Sequence, residues 1–208
     1  MNFNLIIPEL GHLAMILALC LALVQATLPL IGAWRGDRQW MSLAVPAAWG
    51  QFAFLLFAFL CLSWSFMSDD FSVAYVASNS NSALPWYYKF SAVWGAHEGS
   101  LLLWALILAG WTFAVSVFSR QLPEVMLARV LAVMGMISVG FLLFLIATSN
   151  PFDRLLPDQA AEFREHGLDR RPDLLELLDQ GVADGNGSVQ GRLEPIGANL
   201  RPNGVLDL

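Results

Sequence analysis

Charged residues are scarce in this sequence of 208 residues. Asp, Glu, Lys and Arg make up 13% of it and hydrophobic residues 57%, whereas about 25% of a soluble domain is charged. This deficit excludes an ordinary soluble domain and indicates a membrane protein. The net charge of −6 divides into −1 for residues 1–157 and −5 for residues 158–208. No basic face for nucleic acid is therefore expected.

Cysteine is also rare, and its spacing excludes several functions. The two cysteines, Cys20 and Cys61, both lie in apolar runs, so a disulfide between them is not expected. The absence of CxxC and CxxCH excludes a thiol oxidoreductase and a c-type cytochrome. Phosphate loops, dinucleotide fingerprints, nucleophile elbows and zinc-ligand spacings are also absent.

Long apolar segments are what the sequence does contain. Four of them reach the roughly 20 residues that a membrane-spanning helix needs. The segments predict helices at residues 13–34, 43–66, 101–118 and 130–148. The predicted fold is an all-α integral membrane protein with four transmembrane helices. It has a long aromatic loop at 67–100 and an acidic, glycine-rich tail at 158–208, which is expected to be mostly disordered.

The basic residues of the short connections predict the orientation. The first and third connections each hold two arginines, whereas the loop 67–100 holds one base, Lys89. Positive charge favours the cytoplasmic side. The N-terminus, the loop 67–100 and the tail are therefore predicted to be periplasmic, in a bacterial inner membrane. The four arginines are Arg35, Arg38, Arg120 and Arg129.

The loop 67–100 is the main candidate for function, because loops of this length are usually functional or disordered. Its aromatic residues argue against disorder and predict an interfacial helix around Pro85–Trp94. Rings combined with one His and one Glu suit a flat, apolar, metal-bearing ligand such as haem. The candidate haem-platform or positioning residues are Trp86, Tyr87, Trp94, Gly95, His97, Glu98, Gly99 and Ser100.

His97 has two interpretations. It begins a helical face that continues through Leu101, Trp104, Leu108 and Trp111. This face either contacts haem or forms a helix–helix contact with an interfacial histidine. The adjacent Glu98 points to a different face, and the helix dipole alone accounts for an acid at a helix start.

Other polar and small residues have structural interpretations. Glu9 and His12 are three residues apart, so they can meet on one face at the outer end of the first helix, either as a functional pair or as part of a hydrated helix start. Gln25 and Gln51 are expected to form hydrogen bonds between helices. Close packing of the fourth helix is expected at Gly135, Ser138 and Gly140.

Two long stretches, Pro8–Met41 and Asn81–Trp104, resemble the N-terminal part of the CcmF family. These are the cytochrome c-type biogenesis proteins of the bacterial haem-lyase system. Pro46–Leu55, Asp69–Ser82 and Ile137–Pro157 also match, and the string WGAHEGSLLLW is highly specific. The resemblance implies a CcmF-like membrane domain over 1–157, with 158–208 outside the family pattern.

The resemblance implies a role in cytochrome c maturation. CcmF-type proteins receive haem from a periplasmic haem chaperone and attach it to CxxCH of apocytochrome c, with other maturation proteins in the same membrane. They also carry a structural b-type haem. The family's haem-ligating histidines and its tryptophan-rich WWD loop have no counterpart in this sequence. No catalytic residue or metal ligand carries over, so whether this chain is itself an enzyme stays open. His97 becomes a candidate positioning residue.

Three interpretations of function remain. The first is a subunit or N-terminal fragment of the haem lyase, working with a separately encoded remainder. The second is a truncated, non-functional remnant, with a frameshift or gene break after Pro157. The third is a transporter or respiratory-complex subunit, which should line a path with ionisable residues inside the membrane. The interiors of the second, third and fourth predicted helices contain none.

Overall fold

The computed structural model describes residues 6–82, 84–119 and 121–155, and the predicted tail 158–208 lies outside the described residues. Within the described part the chain is helical, with no strand and one isolated antiparallel bridge between Val73 and Arg154. The helices are α1 (Ile7–Arg35), α2 (Arg38–Ser42), α3 (Ala44–Met67), α4 (Ala74–Asn79), α5 (Trp86–Ala92), α6 (His97–Phe118) and α7 (Glu124–Thr148).

Four regions are long and apolar enough to cross a membrane. They are α1, α2 together with α3, α6 and α7. This confirms the predicted all-α fold with four spanning helices, and the chain is a multi-pass membrane protein. Cys20 and Cys61 are unpaired, as expected.

The four long helices form a ring in the order α1, α3, α6, α7. Helices α1 and α6 each pack against α3 and α7, which leaves α1 and α6 diagonally opposite. Small residues allow the close approach. A Cβ at Gly135 would stand 3.0 Å from the backbone nitrogen of Ala26, so close packing is confirmed there. The same expectation is wrong for Gly140, which has nothing within 4 Å of an added Cβ.

Three of the helices begin earlier than predicted, at residues 7, 97 and 124 instead of 13, 101 and 130. The first turn of each of these helices contains an acid, Glu9, Glu98 or Glu124, and lies at an end of the bundle, so hydropathy alone misses it. Pro8 near the start of α1 and Pro123 before α7 fit these boundaries, because proline is favoured where a helix starts.

The first connection contains a helix that the sequence analysis missed. Gly36 adopts a left-handed conformation (φ 71°) and ends α1 with its N–H bonded to the carbonyl of Gly32. Asp37 then accepts a hydrogen bond from the N–H of Gln39 over 2.9 Å and caps α2. We call residues 36–43 and 119–123 the short-loop end of the bundle, and residues 6–12, 68–96 and 149–155 the loop end.

Candidate functional site

The long loop of the loop end is folded onto the bundle by one buried tyrosine. Tyr75 of α4 is 4% exposed. Its hydroxyl donates to the carbonyl of Val93 over 3.0 Å and accepts from the N–H of Ala96 over 3.4 Å. Burial raises the pKa of Tyr75 and the charge of Glu98 raises it further, whereas hydrogen bonds from the backbone of Ala96 and Gly99 lower it. Tyr75 therefore connects α4 to the start of α6.

Glycine is required at position 99 by this packing. A Cβ at Gly99 would overlap the carbonyl oxygen of Val93 and stand 2.5 Å from the Tyr75 hydroxyl. Gly95 is different, since an added Cβ would come no closer than 3.4 Å to Ala92. Ser100 donates to the carbonyl of Trp94 over 2.7 Å. The predicted residues Trp94, Gly99 and Ser100 are therefore brought together around the first turn of α6.

A partly buried ion pair holds α5 to the end of α3. The Nζ of Lys89 lies 2.8 and 2.6 Å from the two carboxylate oxygens of Asp69, and Lys89 is 8% exposed. Asp69 has a positive φ of 54°, a conformation that aspartate tolerates better than most residues. From the sequence, Lys89 was noted only as the single base of the loop 67–100, and its pairing with Asp69 was not predicted. A single lysine among the aromatic residues of α5 was the feature of the sequence that could have predicted an acidic partner for Lys89.

The segment after α7 is fixed against the start of α1. Arg154 donates to Glu9 over 2.7 Å, and the side-chain amide of Asn150 is hydrogen-bonded to Nδ1 of His12 over 3.1 Å. From their spacing, Glu9 and His12 could meet each other. Instead each binds a residue beyond α7, because the chain returns beside α1 there. Phe152 covers Gly11, where an added Cβ would stand 2.4 Å from its ring.

The same segment also pairs with the backbone of the long loop. Ala74 donates to the carbonyl of Asp153 over 2.9 Å, and Leu155 donates to the carbonyl of Ser72 over 3.1 Å. The Arg154 guanidinium donates to the Ser72 hydroxyl over 3.2 Å. The loop, the start of α1 and the segment after α7 therefore form one connected surface.

This surface presents an aromatic face, which consists of Trp86, Tyr87, Tyr88, Phe90 and Trp94. All five rings are exposed, with Trp86 at 67% and Trp94 at 36%. Tyr87 and Tyr88 have centroids 4.7 Å apart, and Phe90 and Trp94 meet edge to face at 5.1 Å. The predicted helix around Pro85–Trp94 is α5. A groove of about 400 Å³ separates the face from α3 and is lined by Leu60, Ser63, Trp64, Met67, Trp86 and Phe90.

His97 lies at the start of α6 and is exposed. Its ring meets Phe144 of α7 edge to face at 6.4 Å. Further along the same helix, Trp104 and Trp111 are 65% and 66% exposed. The helical face that begins at His97 and includes Trp104 and Trp111 therefore points outward from this bundle, beside α7.

Metal-ligating side chains are not clustered in residues 6–82, 84–119 and 121–155, where no three His, Cys, Asp or Glu side chains converge. The two described histidines, His12 and His97, lie on α1 and α6, which are diagonal in the ring. The side chains buried within the four long helices are uncharged over the described residues. The ionisable path that a transporter needs is therefore missing from this part of the chain.

Known proteins match both the sequence and the fold. The family model described as "Cytochrome C assembly protein" matches residues 94–168 and so runs beyond Pro157. The cytochrome c-type biogenesis protein CcmF of Pseudomonas aeruginosa is 89% identical over 151 residues, which are 73% of this chain and 23% of that protein. The Escherichia coli CcmF is 52% identical over 158 residues, 76% of this chain and 24% of that protein.

A solved structure agrees with these matches. The structure titled "Cytochrome c Heme Lyase CcmF" superposes with a TM-score of 0.68 at 33% identity, over 73% of this chain and 25% of that one. The chain spans about a quarter of the length of the relatives it matches. By both sequence and structure, this chain corresponds to an N-terminal fragment of CcmF.

Proposed function

We propose that this segment works in cytochrome c maturation as part of a haem lyase, in which its aromatic face forms one wall of the site that receives haem. In this proposal haem comes from a periplasmic haem chaperone and is joined to the thiols of CxxCH in apocytochrome c. The thioether chemistry and the iron ligands belong to parts of the lyase outside the residues described here.

The observation that carries the proposal is the fixed geometry of the aromatic face. Five exposed rings are grouped at the loop end, where the Lys89–Asp69 pair and the Tyr75 hydrogen bonds hold α5 in place. A porphyrin is flat and apolar, so stacked and edge-on rings suit its faces. His97 and Glu98, at the start of the adjacent helix, would position the ligand and need not bind its iron.

The charges at the two ends support a periplasmic loop end. Both described bases there are paired with acids, Lys89 with Asp69 and Arg154 with Glu9. Among the described residues, the short-loop end and its adjoining helix turns hold Arg35, Arg38 and Arg129, which favours the cytoplasm for that end.

The orientation is tested by labelling engineered cysteines in intact cells. Ser91 and Ser42 are both exposed, one at each end of the bundle. In a chain with Cys20→Ala and Cys61→Ala, a membrane-impermeant maleimide should label Ser91→Cys and spare Ser42→Cys until the cells are opened. The reverse pattern would contradict the proposed orientation.

The haem-wall proposal is tested with a fluorescent probe. Zinc protoporphyrin is titrated against the chain in nanodiscs, and energy transfer from tryptophan is measured. The combined variant Trp86→Ala/Tyr87→Ala should weaken binding of the porphyrin. Trp104→Ala and Trp111→Ala, on the outward-facing side of α6, should not. An equal loss of porphyrin binding in the α5 and α6 variants would show that the probe partitions nonspecifically, and it would refute the proposal that the aromatic face forms a wall of the haem site. The chain alone should give no sharp bis-histidine haem spectrum.

Function in the cell is tested by maturation itself. A strain whose lyase lacks the segment corresponding to residues 1–157 is supplied with this chain and with the remainder as a separate protein. Recovery of covalent c-type haem, and its loss with Trp86→Ala/Tyr87→Ala, would support the proposal. If the chain inserts but gives no covalent haem, it is a remnant.

A further inference from the structure

The interior of the bundle contains a polar layer, which we define as Gln25, Gln51, Thr112 and Ser138. One residue comes from each of the four long helices α1, α3, α6 and α7. All four are buried, with exposed fractions of 0%, 1%, 0% and 2%. The other buried polar side chains of these helices, Ser63, Ser65 and Ser116, each donate to a carbonyl of their own helix. Two glutamines, a threonine and a serine contributed by four different helices call for a separate physical explanation.

The contacts of α3 place Gln51 in the interior. A Cβ at Gly50 would stand 2.6 Å from Leu21 of α1, and Phe52 stacks on Phe113 of α6 with centroids 5.1 Å apart. Gln51 lies between these two contacts around the helix, so it points into the centre of the ring. The Phe52 contact also places Thr112, the neighbour of Phe113, at the same level.

The contacts of α7 bring Ser138 to this level. Gly135 packs against the backbone of Ala22 and Ala26 of α1. Ser138 lies one helical turn beyond Gly135. Since α1 and α7 run in opposite directions, that turn lies beside the part of α1 that contains Leu21.

Gln25 joins the layer one turn away along α1. Its Nε2 donates to the carbonyl of Leu131 over 2.7 Å, which confirms the predicted bond between helices. The same expectation is wrong for Gln51, because neither of its amide atoms has a hydrogen-bond partner among the described residues.

Four polar atoms of the layer are without partners in the described part of the chain: Gln25 Oε1, Gln51 Nε2, Gln51 Oε1 and Ser138 Oγ. Thr112 is satisfied by the carbonyl of Leu108 over 2.8 Å. An unpaired amide group in an apolar interior is strongly destabilising. The atoms include both donors and acceptors and carry no charge, so their ligand must offer both functions and be neutral and small.

We propose that the polar layer binds ordered water at the centre of the bundle. Water has two donors and two acceptors, and buried waters typically make about three hydrogen bonds to otherwise unsatisfied groups. A cation would leave the Gln51 amide N–H groups unsatisfied. Water joins Gln25 and Gln51 to Ser138 and thereby links α1, α3 and α7.

The proposal is tested by X-ray radiolysis of the full chain in nanodiscs. Radicals made from a bound water oxidise buried side chains beside it, which bulk radicals do not reach. Leu55 and Leu142 follow Gln51 and Ser138 by four residues and are fully buried, and Leu62 is a fully buried control further along α3. Leu55 and Leu142 should be oxidised and Leu62 spared. Gln51→Leu should abolish oxidation at both reporters.

Two results would overturn the proposal. Equal protection of all three leucines in the unmodified chain would mean that the layer is dry, with its amides bonded to one another. Oxidation that persists in Gln51→Leu would mean that water enters without being held by the layer. A thermal melt confirms that the Gln51→Leu chain is folded, and Gln51→Met serves as the second variant if it is not.

Discussion

The two ends of the bundle are held together in opposite ways. At the short-loop end the ion pair between Arg38 and Glu124 is 3.3 Å long, with side chains 84% and 66% exposed. At the loop end Lys89 and Asp69 form a pair with side chains 10% and 28% exposed, supported by the Tyr75 hydrogen bonds. Exposed pairs contribute little, whereas removal of one buried partner is costly. The longest loop is therefore the more strongly fixed one, as expected if it carries function.

The largest expected effect comes from Lys89→Met. The substitution keeps the apolar stem and leaves the Asp69 carboxylate without its partner, so we expect a loss of about 3 kcal/mol in the free energy of unfolding. Denaturation in detergent, followed by tryptophan fluorescence, measures it. The double variant Lys89→Met/Asp69→Asn should recover part of the loss. A loss below that of Arg38→Gln would contradict the contrast between the two ends.

Gly99→Ala should follow, at about 2 kcal/mol, because its Cβ overlaps the Val93 carbonyl and the first turn of α6 must shift. Thermal unfolding and proteolysis within residues 68–96 report this change. Gly140→Ala is the matched control, since nothing lies within 4 Å of its Cβ. There the substitution should be neutral or slightly stabilising. Similar losses at the two glycines would refute the packing argument.

Tyr75→Phe should cost about 1 kcal/mol through the lost hydroxyl contacts, and it should also change the response to alkali. Since the pKa of Tyr75 is raised by folding, the folded state holds its proton more tightly than the unfolded state. The resulting stability is present below the ordinary tyrosine pKa of about 10 and is lost as pH rises through the folded pKa. Stability measured against pH should lose this alkaline step in Tyr75→Phe. An unchanged step would assign it to another group.

The smallest effects come from the exposed pairs. Glu9→Gln removes the acidic partner of Arg154, whose side chain is 30% exposed, and should cost about 0.5 kcal/mol. Glu124→Gln at the short-loop end should cost no measurable amount. Both melts are repeated at high salt, where the Glu9 effect should shrink because salt screens partly exposed charges. A larger loss for Glu124→Gln would reverse the comparison.

Hydropathy was sufficient to predict the four spans but not the first turns of three of them. Glu9, His12, Glu98 and Glu124 are polar and lie at bundle ends, so an apolar count starts too late. The candidate residues were predicted as a motif, and their roles in haem handling stay predictions. The packing role of Gly99 needed Val93 and Tyr75 in place, and neither is adjacent to it in sequence.

The sequence by itself determined the membrane location, the four helices and the likeness to CcmF, since these depend on composition, on the length of apolar segments and on specific local strings. Tertiary structure alone decided which polar groups meet. Lys89 with Asp69, Arg154 with Glu9 and Gln25 with Leu131 are separated by 20, 145 and 106 residues. Such pairs depend on how the helices are ordered and in what register they pack, which no local pattern in the sequence encodes.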